Sequence, residues 1–183
     1  IIMRVLPANN SNVVFTDTGL HLMQFRGDVG DAYQFDAING GAGLAGPHAC
    51  ATDEGRVFWY GKNKRFYIWQ GGFSAQLLDC PMAREIADNL DTNNADKISC
   101  KVNSKYSEIT WSFPDKRDGK ELSRSYTFNW VENRWYNDTE NHTFYLQSGV
   151  FDDEIGFGND SLLYFTDIGD SNNGNALTTS ILT

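Results

Sequence analysis

The sequence predicts an all-β protein built from repeated antiparallel hairpins. One design, an apolar and aromatic run, a short polar turn and a second such run, recurs in residues 13–24, 56–70 and 154–166. Matching apolar positions recur at intervals of 43, 52 and 46 residues, at Val14, Val57, Ile109 and Ile155. Repeats of this length are typical of propeller blades. We therefore expect a propeller-like array of about four antiparallel blades with one short helix.

These blades are expected to follow one another along the chain. Their approximate bounds are 11–50, 51–100, 101–148 and 149–183. Residues 1–6 look like the middle of a strand, with neither an initiator Met nor the residue order of a signal peptide. We therefore expect the sequence to be part of a longer chain.

Composition and charge narrow the classes of function. The chain has 183 residues, of which 40% are hydrophobic and 14% aromatic, enough for a folded core. Its net charge of -9 disfavours a surface that holds nucleic-acid phosphates, because such binding needs clustered Lys and Arg. The longest apolar runs are far shorter than the roughly 20 residues of a membrane span, so we expect none.

Three cysteines, Cys50, Cys80 and Cys100, form an odd set without Cys-x-x-Cys spacing. Free Cys is most often a small buried core residue. We therefore expect reduced, buried thiols.

Two hairpins open the chain. The first joins strands at residues 12–16 and 20–25 through Asp-Thr-Gly, and the second joins residues 56–60 to 66–69. The second hairpin is aromatic enough to be buried on both faces. Between them, residues 27–47 are rich in Gly and lack a sustained period, which predicts an irregular excursion carrying a contact surface.

The rest of the chain contains the helix and two further units. Residues 81–90 place Met82, Ile86 and Leu90 on one helical face, with Pro81 suited to the first helical position. Residues 108–113 and 124–130 alternate as strands around a charged loop at 114–121. A third strand is expected around Trp135, which makes most of a four-stranded blade. The fourth unit pairs residues 154–157 with 162–165, and residues 177–182 look strand-like.

The aromatic residues are the first candidates for a binding site. Five side chains could line a sugar-binding groove: Trp59, Trp69, Trp111, Trp130 and Trp135. A blade core is favoured, because each indole buries a large apolar area while its ring nitrogen needs only one partner.

Acidic groups are the second set of candidates. Three sets of residues could hold Ca²⁺ through oxygen ligands: Asp88 with Asp91 and Asp96, Asp152 with Asp153 and Glu154, and residues 167–175. None has the ligand spacing of a calcium-binding loop, so solvated loop charge is favoured.

Catalytic patterns are missing from the sequence. His21, His48 and His142 lie in unrelated segments, and no Ser or Cys has a nucleophile-elbow context. Residues 52–59 miss the Ser/Thr-x-Asp-x-Gly-x-Thr-Trp turn of sialidase propellers by one residue, and residues 40–43 (Gly-Gly-Ala-Gly) are expected to be a flexible loop. We therefore predict no enzyme, and the sequence assigns no catalytic, cofactor-binding or metal-ligating residue.

Three phrases carry a resemblance to a known family. They are residues 69–72 leading to 78–81, residues 107–114 followed by 125–135, and residues 163–164 with 167–170 and 173–177. In this order they resemble the β-propeller tail proteins of short-tailed bacteriophages, of the nozzle or packaged-DNA-stabilization type. The resemblance spans about residues 13–181.

The resemblance implies a structural virion protein made in the bacterial host cytoplasm. Such proteins form rings, here expected to have six identical subunits, around the DNA exit channel, next to portal, adaptor and other tail proteins. Genomic DNA would pass without specific binding, helped by the acidic balance, and the loops at 27–47 and 114–121 would contact neighbours. Two alternatives stay open, a carbohydrate-binding propeller or adhesin and a glycan-cleaving enzyme with paired carboxylates.

Overall fold

The structure is a computed structural model that describes residues 1–27, 30–119, 121–146, 155–158, 161–165, 171–172 and 175–176. It is mainly antiparallel β-sheet, with 57% strand and 9% helix. The chain divides into two compact units, Ile1–Asn141 and His142–Thr183. The first unit contains three sheets whose strands follow one another in sequence order.

The first sheet is a four-stranded antiparallel meander. Its strands are β1 (Ile2–Ala8), β2 (Ser11–Thr16), β3 (Leu20–Phe25) and β4 (Tyr33–Ile38). The Asp-Thr-Gly turn between β2 and β3 is closed by the Thr16 N–H, which donates to the Gly19 carbonyl over 2.9 Å. This turn and both of its strands confirm the first predicted hairpin.

The second sheet repeats the same order. Its strands are β5 (Cys50–Asp53), β6 (Arg56–Tyr60), β7 (Phe66–Trp69) and β8 (Gln76–Leu78). Every residue of β7 is buried, and so is every residue of β6 after Arg56. Because neighbouring residues of a strand point to opposite faces, this sheet is covered on both sides, as its composition predicted.

The third sheet of the first unit follows a short helical connection. α1 (Ala83–Asn89) leads to a 3-10 helix (Thr92–Lys97), followed by β9 (Ser99–Asn103), β10 (Glu108–Pro114) and β11 (Leu122–Asn129). β12 (Arg134–Leu146) pairs with β11 and continues beyond residue 141, the last of the first unit. The predicted helix is therefore confirmed, although it begins at Ala83 and Pro81 precedes it.

The second unit, considered by itself, is also antiparallel. The end of β12 pairs with β13 (Ile155–Gly158), and β13 pairs with β14 (Leu163–Phe165). β15 (Ser171–Asn172) and β16 (Asn175–Ala176) form a separate two-stranded ladder.

Aromatic side chains fill the spaces between the sheets of the first unit. Phe15 of the first sheet meets Trp59 of the second edge to face, with ring centroids 5.7 Å apart. On the other side of the second sheet, Phe66 lies 4.7 Å from Trp111, and Tyr60 lies 4.9 Å from Phe113. The second sheet is therefore packed between the first and the third.

The first strands of the three sheets lie side by side. β1 lies against β5, and β5 lies against β9. A parallel bridge between His48 and Ser99, at the starts of β5 and β9, shows that these two strands run in the same direction. The later strands of each meander extend away from this shared seam.

One predicted region has a different structure. Residues 27–47 were expected to be an irregular excursion, but they contain β4, which pairs with β3 from Phe25 opposite Tyr33 to Leu20 opposite Ile38. The prediction was wrong because the Gly-rich composition on both sides hides the short alternation of Tyr33 and Phe35 with polar residues.

Candidate functional site

The seam between the first strands is held by side chains that reach across it. The Arg4 guanidinium bonds to the Pro47 carbonyl over 3.1 Å and to His48 Nδ1 over 2.8 Å. The Thr52 hydroxyl lies 3.2 Å from the Pro7 carbonyl across the seam and 3.0 Å from the Arg56 carbonyl in its own sheet, and its one hydrogen is shared between these two acceptors. Because an Arg only donates, His48 Nδ1 accepts here, so its ring hydrogen lies on Nε2.

A buried carboxylate marks the end of this seam. Asp53 is 7% exposed, and its two oxygens accept from Ser104 Oγ at 2.5 Å and from Arg56 Nη2 at 2.7 Å. The Arg56 guanidinium also lies 4.8 Å from the Trp130 ring centroid, and Trp130 stacks on Phe58. A buried charge needs such partners. The arrangement therefore stabilises the junction of the second and third sheets.

Three of the predicted core indoles are fully inside. Trp59 and Trp111 are 0% exposed and Trp69 is 2% exposed. Trp130 and Trp135 are half-buried and pack against the same core. The prediction of core over sugar groove is confirmed for the three buried indoles.

Indole nitrogens bind the connecting segments. Trp59 donates to the Ala42 carbonyl, Trp111 to Ala49 and Trp135 to Asp79, over 3.0, 3.2 and 3.0 Å. All three acceptors lie in chain that links one strand to another outside the hairpins. The aromatic core therefore fixes the linkers between sheets as well as the sheets.

The first acidic set surrounds α1 and makes contacts of its own. Asp91 accepts from the Asn93 N–H at 3.0 Å and from Asn94 Nδ2 at 2.6 Å, which caps the 3-10 helix. Asp88 is 68% exposed and lies 3.7 Å from Arg84, while Asp96 is exposed. Each of the three carboxylates thus has its own surroundings, and they do not converge on one site.

Two lysines close the last turn of α1. Lys64, from the turn after β6, donates to the Ala87 carbonyl over 2.7 Å, and Lys116, from the loop after β10, donates to the Asp88 carbonyl. Positive groups are favourable at this end of a helix, where carbonyls have no internal partner. The helix is therefore joined to hairpins of both the second and the third sheet.

Asp115 fixes the loop after β10. It is 4% exposed and accepts three hydrogen bonds from Arg117, at 2.9 Å from the main-chain N–H, 2.9 Å from Nε and 2.6 Å from Nη2. Burial raises the pKa of the Asp115 carboxyl, but the hydrogen bonds from Arg117 outweigh it, so the pKa is lower than usual. The same contacts raise the pKa of Arg117.

The cysteines are free thiols. Cys50 and Cys80 are buried and Cys100 is half-buried. Burial raises the pKa of Cys50 to about 12 and that of Cys80 to about 11, and it raises the pKa of Cys100 as well. All three therefore stay protonated and weakly nucleophilic at neutral pH.

Residues 40–43 are packed, which corrects the expectation of a flexible loop. A side-chain carbon at Gly41 would lie 2.6 Å from the indole of Trp59, and one at Gly43 would collide with the backbone of Asp17. The Gly43 carbonyl also accepts from the Lys62 N–H over 2.8 Å. These glycines allow close approach between the first two sheets.

Several sequence candidates lie wholly or partly outside the described residues. Asp152, Asp153 and Glu154 lie outside them, as do residues 177–182 and most of 167–175. Among the residues described, no group of three His, Cys, Asp or Glu side chains is arranged to hold a metal ion. No helix in the described part of the chain is long and apolar enough to cross a membrane.

A surface that the sequence analysis missed lies on the first sheet. Phe25, Tyr33 and Phe35 are 69%, 52% and 58% exposed, and the rings of Phe25 and Tyr33 touch edge to face at 5.4 Å. The alternation of Tyr33 and Phe35 with Gln34 and Asp36 is the sequence pattern that could have predicted this strand and its exposed aromatic face. Exposed apolar groups of this size commonly mark a contact surface.

Comparison with known proteins gives no match for this chain, either among protein-family models or, at a significant level, among curated proteins.

Proposed function

We propose that this chain is a propeller-type structural module of a bacteriophage virion, in the tail nozzle or the hub below the portal. The observation that carries the propeller part is the seam of first strands. Consecutive four-stranded meanders with adjacent first strands are the arrangement of blades around a central axis. The resemblance of residues 13–181 to phage tail proteins supplies the virion part.

The packing supports a mechanical role. Phe15 packs on Trp59 on one face of the second sheet, and Phe66 packs on Trp111 on the other face, so aromatic contacts join the second sheet to both of its neighbours. Buried aromatic pairs add to the free energy of unfolding beyond the area they bury. Such a module suits a rigid wall that DNA passes, assembled as a ring of identical chains, expected to be six.

The first experiment locates the protein. Virions that encode this sequence are purified, their proteins are identified by mass spectrometry, and the complex containing this chain is weighed by native mass spectrometry. We expect this chain in the virion, in a complex of about six copies with tail proteins. A self-contained monomer of 183 residues, absent from virions, would overturn the proposal.

A second experiment tests the role of acidic charge. Asp88 and Asp96 lie at the end of the sheets that carries α1, while Glu54 and Glu132 lie in turns at the opposite end, and all four are exposed. In one phage Asp88 and Asp96 are both replaced by Lys. In a second phage Glu54 and Glu132 are both replaced by Lys. We expect slower genome release for the pair that faces the DNA path, and unchanged release in both phages would exclude the low-friction role.

The main alternative is a carbohydrate-binding module. It would use indoles that stack on sugar faces, yet Trp59, Trp69 and Trp111 are buried and Trp135 is held by Asp79. Titration with a panel of soluble glycans, with the Trp fluorescence of the protein measured at each step, separates the two functions. A virion module leaves the emission of the buried indoles unchanged, whereas a glycan-dependent shift would favour the alternative.

A further inference from the structure

β4 forms one edge of the first sheet. Its inner side pairs with β3 over all six of its residues, without a register shift. On its outer side, no backbone hydrogen bond joins residues 33–38 to another strand in the part of the chain that the structure describes. Pairing begins only at Asn39, whose N–H donates to the Phe73 carbonyl over 2.8 Å.

This edge has few of the features that usually prevent pairing between chains. Natural edge strands are kept apart by Pro, charged side chains and above all Lys, a bulge or very short length. β4 reads Tyr-Gln-Phe-Asp-Ala-Ile, with no Pro, Lys or bulge, and its one charge, Asp36, lies on the half-buried face. It is twice as long as β8, the three-residue edge of the second sheet. Tyr33 and Phe35 are more than half exposed on one face of it. The strand is therefore suited to receive another strand.

The sequence of β4 is complementary to itself in one antiparallel register. With Phe35 opposite Phe35 of a second copy, Tyr33 lies opposite Ala37, and the exposed face pairs only apolar groups. On the other face Gln34 lies opposite Asp36 of the second copy. Within one strand Gln34 Nε2 already donates to Asp36 Oδ1 over 2.8 Å, and the second hydrogen of the amide is left for the opposite carboxylate. A register centred on Asp36 would place two carboxylates opposite each other, which is unfavourable.

We propose that β4 pairs antiparallel with β4 of a second copy of this chain, centred on Phe35. The two four-stranded sheets then form one sheet of eight strands across a two-fold axis. Each copy carries a net charge of -9, so the copies repel and the pairing tightens as added salt screens the charge.

This contact is separate from the ring of the proposed function. A two-fold contact closes on a pair of copies, whereas a six-fold ring needs a different surface on each side of the subunit. Loss of the pairing therefore leaves the virion proposal intact, and absence from virions leaves the pairing intact.

Sedimentation of the 183-residue chain tests the proposal first. Wild type is expected to change from monomer to dimer as its concentration rises, and Phe35→Lys is expected to stay a monomer, with its folding checked by circular dichroism. Tyr106→Lys is the matched control, because Tyr106 is an aromatic residue that is 50% exposed and lies in the turn between β9 and β10, outside the first sheet. A wild type that is monomeric throughout the micromolar range, or a Phe35→Lys variant that dimerises as wild type does, would overturn it.

Disulfide trapping tests the register without adding charge. Residues directly opposite in an antiparallel pair are close enough for a disulfide. Phe35→Cys should therefore link two copies under mild oxidation, whereas Tyr33→Cys should not, and Tyr33→Cys combined with Ala37→Cys should link again. Wild type, with Cys50 and Cys80 buried, gives the background. Linking of Tyr33→Cys as strong as that of Phe35→Cys, or no linking in either, contradicts the proposed pairing.

Discussion

Single residues in this protein are specialised for contact between segments that are far apart in the chain. The Trp59 indole donates to Ala42, and Gly41 leaves space for that same indole. The large Trp59 side chain in β6 thus packs into the space left by the absence of a side chain at Gly41 in the linker. Protein interiors are close-packed, so both partners are needed for this packing.

Gly43→Ala is expected to destabilise the protein, because its new methyl group meets the backbone of Asp17 and Thr18. Backbone atoms cannot move aside as a flexible side chain can, so we expect a loss of about 1–3 kcal/mol in the free energy of unfolding. Gly19→Ala is the matched control, since nothing lies within 4 Å of a methyl group there. Urea unfolding of both variants measures the difference, and equal stability would contradict the packing of the Gly-rich segment.

Tyr60→Phe is expected to stabilise the protein. The Tyr60 hydroxyl is buried and has no hydrogen-bond partner among the described residues. Removing an unsatisfied buried group recovers its desolvation cost, so the free energy of unfolding should rise by about 1 kcal/mol. Tyr67→Phe should have the opposite effect, because its hydroxyl accepts from Asn63 Nδ2 over 2.6 Å. Thermal unfolding of the two variants should therefore give midpoints on opposite sides of wild type.

At the scale of elements, α1 is short and depends on its neighbours. Seven residues are too few for a helix to be stable alone in water. Lys64 and Lys116 bind its last carbonyls, and the Asp91 N–H donates to the Pro114 carbonyl over 2.9 Å. The loop after β10, which Asp115 shapes, is therefore part of what keeps α1 in place.

Asp115→Asn is expected to lower the free energy of unfolding by about 2 kcal/mol at neutral pH, because it weakens charged hydrogen bonds from Arg117. The pKa of Asp115 is lower in the folded chain than its usual 3.8. Its contribution is therefore complete above the unfolded pKa and is lost as the pH falls through the folded pKa.

Urea titrations of wild type and Asp115→Asn at several pH values check this dependence. The difference in stability between them should be largest near neutrality and should shrink in acid. A difference that stays constant down to the lowest pH would show that the carboxylate charge contributes nothing. Asp118→Asn provides a control with a smaller effect, because the Asp118 side chain, in the same loop and paired with Arg124, is 34% exposed.

The sequence predicts a strand well when the strand has a local apolar pattern, and poorly when its form depends on pairing with a neighbour. β6 and β7 could be predicted to the residue because Val57 and Phe66 begin aromatic runs that polar residues and Gly61 interrupt. β5 and β9 were missed because Cys-Ala-Thr-Asp and Ser-Cys-Lys-Val-Asn show neither a run nor an alternation. Their strand form comes from the ladders they make with β6 and β10, which no local pattern records.

The candidate functional regions also divide into those that a local sequence pattern predicts and those that depend on tertiary contacts. The burial of Trp59 and Trp111 could be predicted, since Trp59 lies in an aromatic run buried on both faces and Trp111 lies on an alternating strand. The packed state of residues 40–43 could not, because composition indicates flexibility while contacts with Trp59 and Asp17 decide the outcome. The open edge of β4 could not be predicted either, because it depends on β4 being the last strand of its sheet, which only the topology shows.

For the whole molecule, the question is whether the three sheets of the first unit unfold together. Phe66 lies where the second and third sheets meet: its ring centroid is 4.8 Å from that of Tyr60, 4.7 Å from that of Trp111 and 4.8 Å from that of Trp135. Trp59, on the other face of the second sheet, continues the contact to Phe15. This continuity predicts one cooperative unit.

Phe66→Ala is expected to cost about 3–5 kcal/mol, through lost burial and the cavity that remains. If the sheets unfold together, hydrogen exchange of the full chain should accelerate by a similar factor in β2, β6 and β10, since all three exchange through the same opening. Phe73→Ala, at a side chain 58% exposed, should leave all three strands as protected as in wild type. Faster exchange in β6 and β10 with β2 unchanged would show instead that the first sheet unfolds independently, and that the aromatic contact between Phe15 and Trp59 does not couple it to the others.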